Sequence, residues 1–321
     1  MNTYNFRNRI FYALKPFIPR PVQIALRRQI AQHIRRKNGS LWPIDPNAAK
    51  PPKGWPGWPG GKQFALVLSH DVDTRKGYNN ILELADLEEQ LGFRSQFNFV
   101  PERYGKIEIN LIDELKHRGF GIGVHGLKHD GKLFSSKDVF DKDAPKINCY
   151  LRDWGTKGFT APSMIRNHSW MHQLNMDYCV STFDTDPFEP QSESAGTNFP
   201  YWVKGKLPGQ KFLELPYTLV QDFTLFVILR EKTIGIWKQK LDWIASNGGM
   251  ALLNSHSDYM NFNSEKSGNE EYPVQYYSDF LEYVGTAYED KFCNLLPQHV
   301  WSFWIRRMQT GHARFSTNNQ S

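Results

Sequence analysis

Between residues 64 and 257 the chain alternates short apolar runs with stretches of helical periodicity, and this alternation constrains the fold more than any other feature. Seven runs stand out: FALVLS (64–69), SQFNFV (95–100), GIGVHG (121–126), GFTAP (158–162), YCVST (178–182), FLELPY (212–217) and MALLNS (250–255). Short apolar runs of this length read as strands. Helical spacing fills 79–91, 110–118 and 232–246, and Gly92 and Gly119 fall where helix C-caps belong. Strand and helix in repeated succession predict an α/β fold with a parallel sheet. Seven strands favour a barrel one strand short of eight, and 276–308 reads as two aromatic-rich helices on its wall. With 40% hydrophobic and 14% aromatic residues, a large core is available and intrinsic disorder is excluded.

The flanking segments differ from this body. Residues 1–40 hold nine basic residues (Arg7, Arg9, Lys15, Arg20, Arg27, Arg28, Arg35, Arg36, Lys37) and no acid. The whole chain has 39 basic and 33 acidic residues, which leaves 30 against 33 outside the arm, a net of −3. The +6 total is therefore a property of the arm, and nucleic acid is not expected as a partner. Val22, Leu26, Ile30 and Ile34 recur every four residues within it. Such a helix suits docking on the barrel, on a partner subunit or peripherally on an anionic membrane. Residues 41–62, rich in Pro, Gly and Trp, read as an extended linker. The barrel with its C-terminal helices is expected over 63–310, and 311–321 as a flexible tail. Cys149, Cys179 and Cys293 show no pairing rhythm, which fits a reducing compartment. With no secretory pattern and no apolar stretch long enough to span a bilayer, a cytoplasmic location is expected, with the inner membrane face reachable through the arm.

Groups capable of chemistry follow the apolar runs. Asp71 and Asp73 end the first, His125 and His129 the third, Thr160 and Pro162 the fourth, Asp184 and Asp186 the fifth, and His256 the seventh. In α/β barrels the active site forms at the C-terminal ends of the strands, so five strands offering polar groups at one end is a joint signal. Residues i and i+2 of a strand end point to one side, so both aspartates can reach one site. If the chain turns helical after His125, its imidazole and that of His129 share a face and suit one ion. One Asp and two His make a three-ligand set with room for water and substrate, the hydrolytic rather than the closed structural pattern. His70 should face away from Asp71 as core or supporting packing, and Asp130 reads as a loop residue. Ser255 and Ser257 lack a plausible triad, and no glycine-rich phosphate loop follows any strand.

These residues resemble the motifs of the polysaccharide deacetylases, the NodB-homology family of carbohydrate esterases. Ser69-His70-Asp71-Val72-Asp73 is similar to the first motif in its D-x-D form, and His125 to His129 to the H-x-x-x-H second motif. Residues 158–162 stand at the third, 184–190 in the region of the fourth, and 252–256 resemble the fifth. The resemblance covers about residues 60–260 and implies a distorted (β/α)7 barrel. It further implies a divalent metal, Zn²⁺ first, on Asp73, His125 and His129, with Asp71 as base and His256 as acid. The reaction implied is hydrolysis of an N-acetyl amide on a glycan or amino sugar by a metal-activated water. Thr160, Pro162, Asp184 and Asp186 are placed at the substrate or in support of the site. One departure stands out: the third motif usually carries an arginine where this chain has Thr160, and a hydroxyl supplies no charge to the base. Arg75 and Arg166 are the candidates to replace it. Two other readings stay open: a cyclic-amide amidohydrolase of the same fold, and a catalytically impaired glycan-binding barrel.

Overall fold

The structure is a computed structural model that describes residues 18–38, 42–189, 191, 193–263 and 267–316, with side chains described to 306. The N-terminal 17 residues of the arm and the last five of the expected tail lie outside the described residues. Each of the seven apolar runs contains a strand: β1 (Phe64–Val72), β2 (Gln96–Phe99), β3 (Gly121–His125), β4 (Gly158–Thr160), β5 (Tyr178–Cys179), β7 (Lys211–Glu214) and β8 (Met250–Ser255). A further strand, β6 (Tyr201–Lys204), pairs antiparallel with β7. All the others in this set pair parallel, in the order β1-β2-β3-β4-β5-β7, and β8 returns to the other edge of β1. Beyond β7 the chain continues to Leu219, which bridges Leu253 of β8 and draws the sheet into a distorted barrel. Two short strands, β9 (Met260–Asn261) and β10 (Tyr272–Pro273), pair outside the barrel. A last strand, β11 (Phe292–Asn294), pairs with the first residues of β1 and was not legible in the sequence.

Burial explains why these runs are largely apolar. Along β1 the even positions Phe64, Leu66, Leu68 and Val72 belong to the core between sheet and helices. The odd positions Ala65 and Val67 belong to a second core inside the barrel, with Tyr178, Leu213, Leu215, Met250 and Leu252. Strand residues alternate sides, so Ser69, Asp71 and Asp73 continue the inward row. On β8 the inward row reads Met250, Leu252, Asn254, His256. Both rows run from apolar at the N-terminal end to ionisable at the C-terminal end, and this gradient places the polar groups at one mouth of the barrel.

Helices cover the outside: α2 (Arg75–Asn79), α3 (Ile81–Gln90), α4 (Ile109–His117), α5 (Lys137–Asp153), α6 (His168–Met171), α7 (Gly235–Ser246), α8 (Gln275–Ala287) and α9 (Pro297–Ser316). Helices thus close the crossovers of the parallel set, except that from β5 to β7, which runs through β6 instead. Residues 42–62 pack closely on the barrel. The Trp58 indole donates to the carbonyls of Gly248 and Gly249 at 2.9 and 3.0 Å, and Trp55 lies 5.0 Å from Trp304 of α9.

The basic arm forms α1 (Arg20–Asn38), which lies on the barrel mouth against a π-helical turn, Phe223–Ile228. Its buried face is Gln23, Ile24 and Ala31. The stripe that carries the sequence periodicity faces outward instead: Val22, Leu26 and Ile30 are 47%, 48% and 58% exposed. Arg20 grips Glu270, Arg28 donates to the Val227 carbonyl at 3.0 Å, and Arg35 pairs with Glu231. These bonds turn the polar side of the helix toward the protein. Among the described residues no helix is long and apolar enough to cross a membrane.

Candidate active site

The mouth of the barrel encloses a cavity of about 810 Å³ lined by Asp71, Asp73, His125, His129 and His256. Donor atoms of Asp73, His125 and His129 all lie within 4.8 Å of one another. Asp73 Oδ1 is 3.4 Å from His125 Nε2 and 3.2 Å from His129 Nε2. The histidines do not share a helix. His125 ends β3, Gly126 turns at φ +62°, and His129 sits at φ +53°. A Cβ on Gly126 would lie 2.3 Å from Pro162 Cγ, so glycine is required by both backbone and neighbour. The tight turn, rather than one helical turn, brings the imidazoles to a centroid distance of 5.0 Å. Pro162 therefore packs under the turn that carries the histidines, and Arg103 donates to the His129 carbonyl at 2.6 Å.

These three residues fit a divalent cation on chemical grounds. The Thr160 carbonyl can only accept, so His125 Nδ1, 3.1 Å away, carries the proton and Nε2 keeps its lone pair. Asp73 Oδ1 is buried and has no hydrogen-bond donor among the described residues, a costly condition unless a cation serves it. Burial would raise the Asp73 carboxyl, but His129, His125 and His256 outweigh it and hold it well below the usual range. Burial holds His129 down at about 4, so its imidazole is neutral at pH 7 and able to ligate. For His125 burial also pulls down, but Asp71 and Asp73 prevail and raise it.

Asp71 lies beside the cluster, with Oδ2 3.7 Å from His125 Nε2. Among the described residues its carboxylate oxygens accept from amides rather than from an arginine. Arg75 donates to the Tyr104 carbonyl, and Arg166 donates to the Met164 and Glu193 carbonyls. Two neutral amides hold it instead: Asn98 Nδ2 donates to Oδ1 and Asn254 Nδ2 to Oδ2, both at 2.9 Å. Sheet register explains the arrangement, since Asn98 is the β2 partner of Asp71 and Asn254 the β8 partner of Ser69. Gly123 makes room for this clamp, because a Cβ there would lie 2.1 Å from Asn98 Oδ1. The Thr160 side chain is buried and its hydroxyl has no partner among the described residues.

His256 has a partner the sequence did not reveal. Asp222 Oδ1 is 2.7 Å from His256 Nδ1, while Oδ2 accepts from the His256 N–H at 2.9 Å and from the Tyr272 hydroxyl at 3.0 Å. Burial lowers the imidazole, but Asp222 chiefly, then Asp73 and Asp71, push it up to about 10. In the metal-free protein His256 is thus an imidazolium at neutral pH, the protonation state of a general acid. Asp222 lies five residues past Tyr217, the end of the sixth apolar run, so the rule that polar groups follow strand ends finds it once the strand is extended to Leu219.

Asp184 and Asp186 do not line the cavity. Asp184 is fully buried and paired with Lys240 at 2.6 Å, which also donates to the Pro43 carbonyl. Removing one partner of a buried pair strands the other charge, so Lys240→Met is expected to cost about 3–5 kcal/mol of stability. Urea unfolding measures this, and an unchanged midpoint would remove the ion pair from any structural role. Asp186 shares the Tyr217 hydroxyl with Glu189, at 3.0 and 2.8 Å. Burial and then Glu189 push Asp186 up to about 8, so this carboxyl pair retains a proton at pH 7. Glu189 and Phe188, rather than the two aspartates, reach the cavity from this segment. Asp130 accepts from the Lys132 N–H and shapes the turn. His70 joins Ser255 at 2.9 Å and Glu88 at 2.7 Å, the order of a serine-hydrolase relay. All three are buried, at 1% exposure or less, and line no part of the cavity, so this relay supports the strands from behind.

No family model matches the sequence, and no curated protein matches it. Solved structures do match the fold. One, from Mycobacterium smegmatis and classed as a polysaccharide deacetylase, superposes with a TM-score of 0.57 at 15% identity, over 78% of this chain and 93% of that one. A family 4 carbohydrate esterase from Streptomyces lividans in complex with acetate gives 0.44 at 11% identity, over 73% and 92%. A family 4 acetyl xylan esterase from Clostridium thermocellum with a cobalt ion gives 0.41 at 13%, over 74% and 91%. The first of these shows the fold: the chain has the distorted barrel of the polysaccharide deacetylases that its motifs resemble.

Proposed function

We propose that this chain, built on the fold of the polysaccharide deacetylases, is a metal-dependent hydrolase that removes acetyl groups from the amino-sugar units of a glycan. The observation that carries the reading is the meeting of an Asp-His-His cluster, a second carboxylate and a carboxylate-paired imidazolium on one cavity. Asp73, His125 and His129 would hold the cation, with Zn²⁺ preferred by two imidazoles and one carboxylate. When bound, such an ion polarises a carbonyl and lowers the pKa of water.

The remaining chemistry belongs to the chain. Asp71, clamped by Asn98 and Asn254, presents a fixed carboxylate that accepts a proton from the attacking water. The water oxygen bonds to the amide carbon, and the C–N bond breaks as His256 delivers its proton to the departing nitrogen. The products are acetate and a free amine. Asp222 holds the His256 ring by Nδ1, which leaves Nε2 to face the cavity.

Acetate release from N-acetylated chito-oligosaccharides, with cyclic ureides as the contrasting panel, tests the reading. Activity on the sugars, its loss with a chelator and its return with Zn²⁺ are expected. Hydrolysis confined to ureides would favour an amidohydrolase on the same barrel, and stoichiometric metal with no hydrolysis of any glycan would favour a binding barrel. His125→Ala is expected to lose bound metal and turnover together, as read by metal analysis of the purified protein.

A further inference from the structure

Helix α1 is divided lengthwise into three sectors. Ile24 and Ala31 bury against Phe223, Val227 and Ile228. Arg20, Gln23 and Arg27 form part of the cavity wall. The third sector, Val22, Leu26 and Ile30, faces away from the protein. Among the described residues only six large apolar side chains are exposed, and three of them form this single row. A row of contiguous exposed apolar side chains on one helix marks a contact surface rather than ordinary surface composition.

We propose that this row seats the protein on an anionic lipid bilayer, with the catalytic cavity opening at the lipid surface. Charge selects the occupant. The C-terminal end of the same outward face carries the exposed Arg36 and Lys37, and residues 1–40 contain no acid, while Arg20, Arg28 and Arg35 of their nine basic residues are held by the barrel. In the 17 residues leading into α1, Phe6, Ile10, Phe11, Leu14 and Phe17 are interspersed with Arg7, Arg9 and Lys15. Apolar and basic side chains together, without acids, match an interfacial helix on anionic lipid, where neither attraction suffices alone. A second copy of this chain would bring the same basic surface against itself across a two-fold axis, which opposes pairing through this face. Because Arg20 and Arg27 line the cavity from the same helix, bilayer contact places the cavity beside lipid headgroups and suits a membrane-anchored glycan. That last step rests on the deacetylase reading, whereas the docking does not.

Co-sedimentation of the full chain with phosphatidylcholine vesicles, with and without phosphatidylglycerol, tests the surface. Binding is expected only with the anionic lipid, and it should weaken as salt rises to ~0.5 M and screening shortens to a few ångström. Val22→Gln, Leu26→Gln and Ile30→Gln combined keep good helix formers at exposed positions and are expected to weaken vesicle binding by about tenfold or more. Leu207→Gln, at an exposed leucine far from α1 in sequence, should leave it unchanged. Circular dichroism and light scattering on the same samples establish folding and oligomeric state. Absent binding to anionic vesicles, or binding indifferent to the triple substitution, overturns the proposal. A dimer that the triple substitution dissociates assigns the row to a second copy instead. Vesicle binding is read without turnover, so its failure leaves the deacetylase reading standing.

Discussion

Asp71→Asn is expected to lower turnover by ~10²–10⁴-fold, the usual contribution of a positioned general base, while metal content stays at the wild-type level. The separation of effects follows from geometry. Asp71 is no member of the Asp73, His125, His129 cluster, so its loss does not remove a ligand. The fold should tolerate the change as well. Both oxygens of Asp71 accept from amide N–H groups, so an asparagine would set one N–H group against another. Asn254 can relieve this by turning its amide over, because its Oδ1 has no partner among the described residues. Asn98 is less free, since its Oδ1 accepts from Gln96 at 2.7 Å. The decisive measurement pairs acetate release with metal analysis on one preparation. Full activity in Asp71→Asn would remove it as the base, and loss of metal would make it a ligand.

Asp222→Asn is the second large effect. In the metal-free protein the carboxylate is the chief group raising His256, to about 10. Without it the imidazole should fall toward the ordinary value of ~6.5, so less of the acid form exists at pH 7–8. The alkaline limb of kcat/KM is expected to move to lower pH, by about one unit or more, while metal content is unchanged. Stability carries the same sign. A histidine raised on folding contributes stability that is fully present below its unfolded pKa and is lost as pH rises through its folded pKa. The variant should therefore lose more stability at pH 6 than near pH 10. NMR titration of His256 in metal-free protein reads the pKa directly. An unshifted His256, with an unmoved alkaline limb, would falsify the assignment of Asp222 as its positioning partner.

Much of the site was legible because strand chemistry is local. Asp71 and Asp73 share a side of β1 by the two-residue repeat alone. His125 and His256 end runs whose apolar content forces them into the barrel wall. Asp184 and Asp186 also follow such a run, yet one is consumed by Lys240 and the other by Tyr217 and Glu189. Nothing local distinguishes an aspartate that enters a cavity from one that meets a lysine 56 residues later. Asp222 was missed for the converse reason, since it becomes visible only when the segment to Leu219 is seen to bridge β8.

The sequence by itself determined the seven-strand alternation, the inward gradient from apolar to ionisable along β1 and β8, and the gathering of two aspartates and three histidines at one end. Periodicity and run length encode these directly. Tertiary structure decided which groups pair. It exchanged the expected arginine for the amides of Asn98 and Asn254, gave Asp222 to His256, and set the turn through Gly126 that joins His125 to His129. It also decided the orientation of α1. The helix offers two apolar rows, and its periodicity favours Val22, Leu26 and Ile30. Contact with Phe223–Ile228 and the bonds of Arg20, Arg28 and Arg35 selected the row of Ile24 and Ala31. Helical spacing fixes which residues share a face, but a face acquires its partner only from chain segments remote in sequence.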